Sequence, residues 1–146
     1  MSALFFAFKI ISLFAAAAPA SEDLVGSWLA VGYYYEDQFI QPPDRQLTLT
    51  FDFLPDGTHR LFWQMKGETT FCERKGTWFL KDDQLFIEAT WVNPDNGPQC
   101  GGDPDMKVGM KSQSTIGIHN EQLWIELPFG NSVMIYVWDQ ISLPIR

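Results

Sequence analysis

Apolar and polar residues alternate with a period of two through most of this chain, and such a pattern builds half-buried β-strands. Leu47, Leu49, Phe51 and Phe53 take turns with Thr48, Thr50 and Asp52. Beyond the turn Pro55-Asp56-Gly57, Leu61, Trp63 and Met65 continue an apolar row, with Arg60, Gln64 and Lys66 in the other phase. Leu85, Ile87, Ala89 and Trp91 form a third row, and Leu123, Ile125 and Leu127 a fourth. Successive side chains of a strand point to opposite faces, so each row is one face of a sheet. Leu24–Tyr35, Thr69–Leu80, Met106–Ile118 and Val133–Trp138 also read as strands. Glycines at 109 and 117 are points where the third of these can bend.

Turn-forming clusters separate these runs at Glu36–Asp44, Lys81–Asp83, Asn93–Asp105, His119–Gln122 and Pro128–Asn131. No useful length of helical periodicity interrupts them. Eight strands joined by mostly short connections predict an all-β, eight-stranded antiparallel up-and-down barrel rather than a Greek-key sandwich. Closing the sheet removes the edges that a chain rich in Val, Ile, Phe and Trp would leave open to aggregation. Eight strands enclose room for packed side chains or for one small ligand.

The first residues carry a different signal. Met1–Lys9 holds one positive charge, Ile10–Ala18 is apolar, and Ala18-Pro19-Ala20 offers small residues where a signal peptidase reads. The expectation is a signal peptide over residues 1–20, cleaved after Ala20, and a single domain over 21–146 that is secreted or periplasmic. The apolar run is too short for a span of about 20 residues, so no stable membrane anchor is expected. The formal net charge of -8 repels phosphate backbones and anionic lipid, which argues against nucleic acid as a partner.

Gly26-Ser27-Trp28 stands at the head of the first strand. Glycine lets two chain segments approach closely, and the indole can plug the closed end of a barrel while its N–H finds a carbonyl. A second Gly76-Thr77-Trp78 lies within Lys75–Leu80, and Phe53–Thr58 forms the second hairpin. With these features the chain resembles the lipocalin-like, or calycin, superfamily in its compact bacterial form. The resemblance implies a barrel that binds a small hydrophobic molecule. The chain departs from larger lipocalins in lacking their Thr-Asp-Tyr motif and in having no arginine within Val133–Ile141.

Cys72 and Cys100 are the only cysteines. Export favours a disulfide, and a hairpin turning near Asp82 and Asp83 brings Cys72 opposite the loop that holds Cys100. The alternatives are two free thiols or a metal site, which would need further ligands. The loop residues Asn93, Asp95, Asn96, Asp103 and Asp105 are oxygen donors, but their spacing departs from a calcium loop, and no metal is assigned. His59 and His119 sit in or beside turns and read as surface groups. The carboxylates read as solvated turn and outer-face groups. No nucleophile–base arrangement, phosphate loop or dinucleotide fingerprint appears, so neither an enzyme nor a cofactor is expected.

Phe51, Phe53, Trp63, Met65 and Trp91 share the apolar phase of adjoining strands and are the expected ligand-binding residues. Tyr33, Tyr35 or Tyr136 would add a polar handle near a mouth, with Tyr136 the chosen candidate. The competing expectation is that these rings fill the interior. In that case the protein would act as an interaction or inhibitor module, meeting a protein partner through the loops Glu36–Asp44 and Asn93–Asp105.

Overall fold

The computed structural model describes residues 18–41 and 46–141. Most of the expected signal peptide therefore lies outside the described residues. The strands are β1 (Gly26–Tyr35), β2 (Gln38–Ile40), β3 (Leu47–Phe53), β4 (Thr58–Met65) and β5 (Phe71–Lys81). They continue with β6 (Gln84–Val92), β7 (Lys111–His119), β8 (Gln122–Phe129) and β9 (Ser132–Ile141). Each of β3 to β9 pairs antiparallel with its sequence neighbour, and β1 pairs with both β3 and β9. That last pairing closes the sheet, so β1 and β3–β9 make the eight-stranded up-and-down barrel.

Local chemistry explains the corners. Glu36 and Asp37 between β1 and β2 both have positive φ, as do Asn120 and Glu121 between β7 and β8. Two such residues give the type I′ geometry whose twist matches that of the flanking strands. At the β3–β4 corner Asp56 accepts hydrogen bonds from the Thr58 backbone and hydroxyl, and Gly57 supplies the positive φ that the turn requires.

Two details differ from the sequence pattern. Within the turn-rich stretch after Tyr35, Gln38–Ile40 pairs back onto β1 as the short extra strand β2. The strand expected from Met106 begins only at Lys111, because Met106 closes the 3-10 turn Pro104–Met106 and Gly109 has a positive φ. Gly109 and Met110 still exchange backbone hydrogen bonds with Ala89 of β6, so the chain joins the sheet through this bend.

One end of the barrel is closed. A single helical turn, Ser21–Leu24, lies across it with Leu24 fully buried, and Trp28 donates its indole N–H to the Leu24 carbonyl at 2.8 Å. Trp78 makes the equivalent bond to the Leu54 carbonyl at 3.1 Å. Both Gly-x-Trp segments thus seal the same end, each burying an indole while satisfying its donor. The opposite end carries the longer connections, including the loop between β6 and β7.

Candidate functional site

The interior above the sealed end is not filled. A cavity of about 480 Å3 runs between the strands, within the usual range for sites that hold one small molecule. Most of its wall is apolar: Leu49 and Phe51 on β3, Leu61, Trp63 and Met65 on β4, and Leu85 and Ile87 on β6. Ile125 and Leu127 on β8 and Tyr136 and Trp138 on β9 complete the far side. Leu47 and Leu127 are partly exposed where the cavity meets solvent.

Of the expected ligand-binding residues, Phe51, Trp63, Met65 and Tyr136 line this cavity. Phe53 does not. It lies deeper, 1% exposed, stacked on Phe51 and edge-on to Trp78, where it forms part of the sealed end. Trp91 does not line it either and stands on the outside, 38% exposed, with the Lys75 ammonium 5.0 Å from its ring. The reason is a β-bulge. Opposite consecutive Lys75 and Gly76, β6 presents Trp91 and Ala89, leaving Thr90 as the extra residue. One added residue reverses the alternation, so the row Leu85, Ile87, Ala89 turns outward at its next member.

The loop between β6 and β7 forms part of the wall. The Cys72–Cys100 disulfide, with a Cα–Cα distance of 5.6 Å, fastens it to β5. Both sulfurs are buried with Met106 against Leu61 and Trp63, so the bridge sits beside the cavity. Glu73, on the outer face, holds the same loop. Asn93 donates to its carboxylate at 2.9 Å, and the Asn96 amide brackets the Glu73 backbone through N–H and carbonyl. Desolvation pushes the Glu73 pKa up, but hydrogen bonds from Arg60 and Asn93 and the charges of Arg60 and Lys75 outweigh it and hold it below its ordinary value. This carboxylate is therefore a structural tether and not a solvated outer-face group. Loop docking in turn presents Asp103, Asp105, Met106 and Met110 to the cavity.

The barrel interior also holds Arg74, which was not singled out from the sequence, and His59, which was expected on the surface. Arg74, 4% exposed, lines the cavity, and its guanidinium lies 5.8 Å from the Phe51 ring centroid. Its Nε and Nη1 are buried with no hydrogen-bond partner among the described residues. Desolvation lowers its pKa from the ordinary value, against the opposing charges of Asp105 and Asp103. Arginine nonetheless stays charged at any working pH. Strand phase could have signalled it, because Arg74 shares a face of β5 with Cys72, Gly76 and Trp78.

His59 is the second, and it is not a surface group. It is 1% exposed, packed edge-on to Phe51, with Nε2 3.3 Å from the Glu88 carbonyl oxygen. A carbonyl can only accept, so the ring donates through Nε2. Burial, then the charge of Arg74, push its pKa down to about 4 in spite of that hydrogen bond. Gly76 makes room for it: a methyl there would strike both the Glu88 carbonyl and His59 Nε2. His119 is exposed and packs at a tilt against Trp124 outside the barrel.

Tyr136 is half-buried and stacks on Tyr33 at 5.6 Å, while Tyr35 meets Phe129 edge-on. Burial raises the Tyr136 pKa, helped by Tyr33 and Asp105, so its hydroxyl stays protonated as a hydrogen-bonding group. A larger concavity of about 930 Å3 lies outside the barrel against Ala18–Asp23. Its lining includes the carboxylates of Glu22, Asp23, Glu121 and Asp139, which suit water better than an apolar molecule.

The chain matches no known family model and no curated protein sequence. It is similar in structure to a lipocalin-like protein from Bacteroides uniformis ATCC 8492, with a TM-score of 0.56 and 15% identity, covering 82% of this chain and 99% of that one. It is also similar to an uncharacterized protein from Bacteroides eggerthii DSM 20697, with a TM-score of 0.52 and 17% identity, covering 81% and 99%. These likenesses establish a lipocalin-like barrel fold.

Proposed function

We propose that this protein binds one small hydrophobic molecule non-covalently inside the barrel, outside the cytoplasm, without chemical turnover. The observation that carries the reading is the cavity itself, about 480 Å3 of unfilled space walled mainly by Leu, Ile, Phe, Trp and Met. A natural core is packed to the density of an organic crystal, so this much apolar wall left facing water is costly unless something enters the cavity. Apolar ligand surface gains about 25 cal/mol for each Å2 it hides from water. Fold alone would not support the proposal, since one architecture serves many functions.

Export is part of the proposal. It is supported by the charged, apolar and small-residue order of residues 1–20 and by the Cys72–Cys100 bridge, which persists in oxidising compartments. No helix among the described residues is long and apolar enough to cross a membrane.

Native mass spectrometry of protein purified from its own host tests the binding reading. The expected result is a retained small molecule that leaves on denaturation. In parallel, apolar probes should quench tryptophan fluorescence saturably, since Trp63 and Trp138 line the cavity. A ligand-free mass together with non-saturating quenching refutes the proposal.

A further inference from the structure

An arginine is an unusual wall for an apolar cavity. Removing a guanidinium from water is unfavourable unless charge and hydrogen bonds are returned to it. Arg74 is 4% exposed, and its Nε and Nη1 have no partner among the described residues. Asp103 and Asp105 also line the cavity, yet neither reaches Arg74 as an ion pair among the described residues. Asp103 instead accepts a hydrogen bond from the Asp105 backbone N–H.

A second orphaned donor faces the same space. Trp138 is 5% exposed and lines the cavity, with its indole N–H buried and unpartnered among the described residues. Phe51 lies between the two, 5.9 Å from Trp138 by ring centroids and 5.8 Å from the Arg74 guanidinium carbon. These unmet groups are donors, and one carries positive charge. Trp28 and Trp78 show the contrast, since their indole N–H groups at the sealed end are satisfied by carbonyls.

We infer that the cavity takes an apolar molecule bearing one carboxylate, which the Arg74 guanidinium receives through charge-assisted hydrogen bonds. The inference rests on the binding reading above and names the class of ligand. A carboxylate is acceptor-only and returns a negative charge to the planar guanidinium, whereas an ester or an alcohol returns no charge and an amine brings donors or a second positive charge. A single negative charge fits better than two, because Asp103 and Asp105 stand close enough to act on Arg74 electrostatically. His59, the other titratable group near Arg74, is neutral at the pH of the test and adds no charge.

The test compares two probes with the same tail, dodecanoate and dodecan-1-ol, titrated below their aggregation limits at about pH 8, where the carboxylate is ionised. The unaltered protein should bind dodecanoate about 10- to 100-fold more tightly than the alcohol, the range set by hydrogen bonds to a charged partner. Arg74→Met should bring the two affinities to within about twofold of each other. Arg74→Lys should keep part of the preference, since it retains the charge but loses the fork. Equal affinities in the unaltered protein would overturn the inference and leave the binding proposal standing. If neither probe binds, the binding proposal falls and takes the inference with it. The comparison in the unaltered protein decides the question even if Arg74→Met fails to fold. A preference that survives intact in a folded Arg74→Met variant would also overturn the assignment.

Discussion

The burial of His59 predicts how stability depends on pH, and its size follows from the geometry. The imidazole is 1% exposed, and burial plus the charge of Arg74 lower its pKa from 6.5 to about 4. Between these values the unfolded chain takes up a proton that the native ring refuses, so stability rises with pH through the window and falls as pH drops through it. The contribution is unaffected above the unfolded pKa, and its loss is complete below the folded one. Going from about pH 7.5 to about pH 4.5 costs about 2.5 kcal/mol from this group alone. Carboxylates such as Glu73 add acid destabilisation of their own, so the effect must be isolated by difference. His59→Gln removes the titration while leaving an amide in the site, and any packing penalty it brings does not vary with pH. Urea unfolding of both proteins at the two pH values should show the gap between them moving by about 2.5 kcal/mol in the variant's favour at the lower pH. A gap that moves by less than about 0.5 kcal/mol would mean that His59 is hydrated or already protonated in the native barrel, and the reasoning would fail.

Other outcomes can be checked with similar effort. Trp63→Ala should weaken binding of an apolar probe by about 1–3 kcal/mol, measured by fluorescence titration well below the melting temperature, whereas Trp124→Ala, outside the cavity, should change affinity little. Replacing Cys72 and Cys100 together by serine should lower stability by about 3–4 kcal/mol in chemical denaturation, the chain-entropy value for a closed loop of this length. Gly76→Ala should cost about 3 kcal/mol or more in a thermal melt, because the new methyl meets both the Glu88 backbone and His59. Exported protein should begin at Ser21 on amino-terminal sequencing, and material still starting at Met1 would remove the cleavage proposal.

By itself the sequence determined the class of fold, the sealed end and the disulfide. These depend on local rules. Period two in Leu47–Phe53 and in Leu61–Met65 requires a sheet with one apolar face, and short turns between successive strands leave few ways to arrange it. Gly26 and Trp28 were legible because indole and glycine chemistry suits a barrel floor. Cys72 and Cys100 were legible because hairpin register brings them together. The tertiary structure alone decided the cavity and its chemistry. Trp91 belongs by phase to the inner row, and only the bulge at Thr90, a feature of pairing between strands, turns it out. Phe53 and Phe51 look equivalent along β3, but depth in the barrel separates a floor residue from a wall residue. His59 read as a surface group beside a turn, yet the space left by Gly76 buries it, and Arg74, which the sequence did not single out, is buried as well. Whether a polar side chain meets water or a cavity depends on what closes over it, and that is set by residues distant in the chain.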